Sequence, residues 1–94
     1  MTGERVLCRT PNNPGTTRIP AWKFEACRAA ILAELADGER GAMALADAAA
    51  ARLSASDRAA MGSVGWHMTT VRLELEVRGE VARSGRAPVR LALP

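Results

Sequence analysis

Ninety-four residues suffice for one domain and leave no room for two independent cores. Apolar residues make up 48% of the chain, much of it alanine, and no run approaches the roughly 18–20 continuous apolar residues of a membrane span. The net charge of +3 rests on the second half: up to Asp47 six basic residues balance six acidic ones, and beyond it seven face four.

Such a balance is a basic bias and not a basic tail. The stretch Met1-Thr2-Gly3-Glu4-Arg5 leads into a few apolar residues and then proline, which is not the pattern of a secretory leader. A cytoplasmic location is expected, with Cys8 and Cys27 as buried thiols in a reducing compartment. Alanine supplies helix propensity but little buried area, so a partner chain that completes the core is in keeping with the composition.

Val6-Leu7-Cys8 reads as a short strand. Pro11-Asn12-Asn13-Pro14-Gly15 is a dense cluster of turn formers, and Thr16-Thr17-Arg18-Ile19 favours extended chain. Residues 1–19 are therefore expected as a strand, hairpin or extended arm. Pro20 suits the first turn of a helix, where its missing N–H costs nothing. Phe24, Cys27, Ile31 and Leu35 then recur on one helical face, and Asp37-Gly38 stops the helix before the polar Gly38-Glu39-Arg40-Gly41.

A second helix is expected from Ala42 to Leu53. Ser54-Ala55-Ser56-Asp57 has the form of a capping box that opens a short helix ending near Met61-Gly62, and Ser63 is placed to cap the next. From Val64 to Arg78 two apolar stripes run together: Val64, Met68, Val71 and Leu75, and beside them Trp66, Leu73 and Val77. Such a helix is clamped between two elements. Its second half alternates like a strand, but its earlier start and the closing Arg78-Gly79 favour the helix. Val81–Arg83 and Val89–Leu93 are strands about the turn Ser84–Pro88.

Helices followed by a hairpin give an α+β fold: a winged helix-turn-helix of three to four helices, with a C-terminal β-hairpin wing and an N-terminal strand or arm. Residues 1–94 form one domain, with 20–79 as helical core and 80–94 as wing. The run Thr70-Val71-Arg72-Leu73-Glu74-Leu75-Glu76-Val77-Arg78-Gly79-Glu80-Val81-Ala82-Arg83 carries this reading, with glycine letting the chain reverse out of the helix. Together with Pro14-Gly15-Thr16-Thr17-Arg18, Phe24–Ala30 and Gly65-Trp66, it resembles a small bacterial family annotated only as a domain of unknown function with a winged-helix-like fold. The resemblance extends from about Cys8 to Leu91 and implies fold, not activity. The alanine-rich second helix and the acidic Glu80 depart from the usual winged-helix pattern.

Two functions stay open. As a DNA-binding or transcription-regulator-like domain, the helix from Val64 enters the major groove with His67, Thr69, Thr70 and Arg72, and the wing sets Arg83, Arg86 and Arg90 against the backbone or the minor groove. As a protein-interaction or dimerisation module, the same fold docks a partner or a second copy without DNA. The wing arginines and the basic second half favour the first, which is the leading expectation. The small net charge, the acids Glu74 and Glu76 on the proposed reading helix and the absence of a ligand-sensing domain favour the second, and Arg72 can simply pair with Glu76 at i+4. A contiguous positive strip favours the first, and an apolar exposed patch around Trp22 or Trp66 the second.

With aromatic residues at 3%, a base-stacking surface for single strands is not expected. No enzyme is expected either. The single histidine has no nucleophile partner, the serines occupy cap and turn positions, and no phosphate-binding glycine motif occurs. Cys8, Cys27 and His67 lack paired metal-ligand spacing, so neither metal nor cofactor is called for.

Overall fold

The computed structural model describes residues 3–85 and 88–94. Strands β1 (Arg5–Thr10) and β2 (Asn13–Pro20) form an antiparallel hairpin, with Val6 opposite Ile19 and Cys8 opposite Thr17. Its turn is narrower than the cluster of turn formers implies. Only Pro11 and Asn12 make the reversal, and Pro14-Gly15 already lies in β2. A proline is tolerated there because β2 is an edge strand. The Thr10 hydroxyl donates to the Asn13 carbonyl and the Asn13 side chain accepts from the Gly15 amide, closing the tip.

β2 runs without a loop into α1 (Ala21–Leu35), with Pro20 as its N-cap residue. The face expected from the periodicity is buried: Phe24, Cys27, Ile31 and Leu35. Next come β3 (Arg40–Gly41), α2 (Ala42–Ala51) and α3 (Ala55–Met61). The Ser54 side chain caps α3 by accepting from the Asp57 amide. α2 ends two residues before the expected Leu53, which is buried in the turn that follows.

Helix α4 (Val64–Arg78) is capped by Ser63 and ends at Gly79, whose φ of +79° is left-handed. The amides of Glu80 and Val81 then turn back to the Leu75 carbonyl. Strands β4 (Ala82–Ser84) and β5 (Arg90–Ala92) follow, each shorter than or shifted from the sequence reading. β5 lies between β3 and β4 in one antiparallel sheet, so Gly38–Gly41, read as a polar connection, contributes a strand. Two residues carry no periodicity; β3 is defined by its partner and by no local signal.

The described residues form an α+β fold of four helices and two small antiparallel sheets. α4 is central, packed against α1, α2 and β1. Phe24, Ile31, Leu45, Met61, Met68, Leu75 and Leu91 fill one core drawn from every helix and the three-stranded sheet. Of the two apolar stripes on α4, the one through Met68, Val71 and Leu75 is fully covered. The other is not, because the arm covers only part of it and Trp66 remains 48% exposed. Cys8 and Cys27 are free, buried thiols. Among the described residues no helix is long and apolar enough to cross a membrane.

Candidate functional site

The polar residues expected to face DNA start in the first turn of α4. His67 is buried: its Nδ1–H donates to the Ser63 carbonyl at 2.7 Å, and its ring meets Trp66 edge to face at 4.8 Å between centroids. His67 therefore braces the helix start and the indole. Thr69 is exposed and Thr70 partly so.

The arginines are engaged by carboxylates. Arg72 donates to Glu76 at 2.7 Å from one side, and Arg83 on β4 reaches the same carboxylate at 2.7 Å from the other. Glu76 thus ties the hairpin to α4 and is shared by both cations, one positive charge remaining in excess. Arg90 on β5 pairs with Glu39 at 3.1 Å. Arg86 lies outside the described residues.

A second cluster was not foreseen. Glu74, on the covered face of α4 with only 1% of its surface exposed, accepts from the Arg9 amide at 2.8 Å. It accepts again from the Arg9 guanidinium at 3.0 and 2.7 Å, and from Arg78 Nε at 2.8 Å. Burial pushes the Glu74 carboxyl up, but these hydrogen bonds outweigh it and hold the group down at about 2. The Arg78 guanidinium also lies 4.7 Å from the centre of the Phe24 ring. One sign was present in the sequence. Glu74 falls three residues after Val71 and one before Leu75, on the core stripe, where an acid requires a partner. Its partner, 65 residues away, carries no sequence mark.

The Arg9–Glu74 contact fixes the arm beside α4 and leaves a groove between them of about 350 Å³. Arg9, Thr10, Thr16 and Thr17 line one wall; Trp66, Thr69, Thr70 and Leu73 line the other. Of the expected site residues, Thr69 and Thr70 meet here, whereas Arg72 and Arg83 meet at Glu76 and Arg90 stands apart. Among the described residues, no group of three or more His, Cys, Asp and Glu side chains is arranged to hold a metal.

No curated protein and no solved structure matched the chain. A family of unknown function, DUF6958, matches residues 5–91, which takes in the arm, all four helices and the hairpin through Leu91. The chain belongs to that family.

Proposed function

We propose that the chain is a winged-helix domain that docks on protein, with a second copy of itself as partner, and does not read duplex DNA. The winged-helix assignment is supported by β3 leading directly into α2, by the order β3–β5–β4, and by α4 passing through the left-handed Gly79 into the hairpin. That fold alone does not decide between DNA and protein.

The observation that carries the function is the pairing of the arginines. Arg72 and Arg83 share Glu76, and Arg90 holds Glu39, so each described arginine of the expected DNA surface already faces a carboxylate. The exposed residues in the first half of α4 are Gly65, Trp66 and Thr69, none of them a cation, and the exposed Arg78 at its end faces Glu74. DNA affinity depends on phosphate neutralisation, which this surface is poorly equipped to supply. Large apolar side chains stand in water instead: Met43 at the start of α2 is 81% exposed, and Trp22 and Leu93 are each 42% exposed. A closed twofold is the commonest way for such a chain to cover apolar surface. The one observation that favours the DNA reading is the pair of Arg90 with Glu39, which is exposed on both sides and exchanges readily.

Fluorescence anisotropy with mixed-sequence duplex DNA at about 50 and 200 mM salt tests the first half of the proposal. Sedimentation equilibrium of the wild type and Met43→Glu tests the second. The expected outcome is no salt-sensitive binding at micromolar protein, a two-chain mass, and a one-chain mass for the variant. Micromolar binding that weakens steeply with salt restores the DNA reading. A single-chain mass across micromolar concentrations removes the self-docking partner.

A further inference from the structure

We infer that the groove between the arm and α4 is a binding site for a small aromatic anion: a planar ring bearing a carboxylate or a phosphate. The two recognition elements are held in place by groups that do not face a ligand. Arg9 lines the groove, and Glu74 takes its Nε–H and one Nη2–H. A guanidinium is planar and carries five N–H donors in a rigid fork, so three remain available once that edge is occupied. The Arg9 side chain is 49% exposed.

The local charge favours an anion. Glu74 is shared by Arg9 and Arg78, Arg78 also reaches Glu80, and Arg28 pairs with Glu80. Three arginines against two glutamates leave one positive charge in excess, unlike the balanced pair of Arg90 with Glu39. Opposite Arg9, the Trp66 indole forms part of the other wall, and His67 braces it edge to face. His67 is itself fixed by the Ser63 carbonyl. Thr17, Thr69 and Thr70 also line the groove and bring hydroxyl groups to it. A volume of about 350 Å³ matches a one- or two-ring molecule and lies near the lower end of ligand pockets. A stacked ring, an oriented guanidinium and side-chain hydroxyls are complementary to such a molecule, and organising them in advance lowers the cost of binding.

NMR titration of the whole chain with benzoate, phenyl phosphate, benzamide and inorganic phosphate tests this, read at the Arg9 Nε–H, the Trp66 indole N–H and the Thr69 and Thr70 amides. Benzoate or phenyl phosphate should saturate with a Kd of about 1 mM or below. Benzamide, which has the ring without the charge, and inorganic phosphate, which has the charge without the ring, should bind about tenfold more weakly or not at all. Trp66→Ala and Thr69→Val, both at exposed positions, should each lower affinity without changing the melting temperature. Arg9→Lys should lower it too, but that change also loosens the arm, so the other two variants decide. The inference fails if neither aromatic anion shifts these signals at about 10 mM, if benzamide or inorganic phosphate binds as well, or if Trp66→Ala leaves affinity unchanged.

Discussion

Glu74 on α4 accepts the backbone amide and two guanidinium N–H groups of Arg9 on β1, three bonds between residues 65 apart in sequence. Because the amide belongs to the strand itself, the carboxylate fixes the register of the arm against the helix as well as its charge balance. Replacing Glu74 with alanine removes these bonds, the bond to Arg78, and a fully buried side chain. Both guanidinium groups reach solvent once released, so the loss falls below that of a wholly enclosed ion pair, at about 2 kcal/mol. Urea unfolding should show it, with hydrogen exchange accelerated most in β1 and β2. An unchanged midpoint would mean the arm is held by packing alone.

The same carboxylate sets an acid limit. Glu74 titrates at about 2 in the folded chain, below the ~4.3 of an unfolded glutamate. Its contribution is therefore fully present above the unfolded value and is lost as pH falls through the folded one. Glu34, held down by Arg52 and Arg40 against an opposing effect of burial, acts in the same direction. Thermal stability should decline from about pH 5 towards pH 2, and Glu74→Gln should flatten that slope. A wild-type curve level across this window would show that the pairing does not persist in solution.

Gly79 predicts a purely conformational effect. Its φ is +79°, yet a Cβ built there meets nothing within 4 Å. Gly79→Ala therefore creates no clash and should cost about 1 kcal/mol from backbone strain. The urea midpoint reads this directly. A much larger loss would require the hairpin to detach from α4.

Cys27 is a chemical probe of the core. Burial pushes its thiol up to about 11, the neighbouring Cys8 adding to the shift, and its sulfur touches that of Met61 at 3.7 Å. At pH 8 iodoacetamide should label the native protein at least ~100-fold more slowly than the urea-unfolded chain. Mass spectrometry over time measures both rates. Equal rates would mean that α1 opens from the core faster than the reagent reacts.

The sequence made plain those parts of the fold that rest on local chemistry. The α1 stripe from Phe24 to Leu35, the Ser54 and Ser63 caps and the Gly79 reversal each follow from residues within a turn or two. β3 was not legible, because Arg40 and Gly41 become a strand only by lying against β5. The site divides in the same way. Arg72 with Glu76 follows from helical spacing, whereas Arg83 with Glu76 and Arg9 with Glu74 depend on where distant elements come to rest. Trp66 shows the limit of periodicity: it shares a stripe with Leu73 and Val77, but the described elements leave it 48% exposed.

Glu76 offers the most direct test of why the hairpin arginines are bound to protein. It is the shared counter-ion of Arg72 on its own helix and Arg83 on β4, and the hydrogen bond that Arg83 donates to it raises the Arg83 pKa above its ordinary value. Glu76→Gln keeps the shape, removes the charge and leaves both cations without a counter-ion. If neutralisation is what keeps the surface from DNA, the variant should bind mixed-sequence duplex severalfold more tightly than wild type at about 50 mM salt. Its salt slope should steepen by roughly one unit for each phosphate newly contacted. Arg83→Ala on top of Glu76→Gln should return binding to the wild-type level. A variant that gains nothing would mean that the α4–hairpin surface is unsuited to duplex in shape as well as in charge, and docking on protein would then be the use left for it.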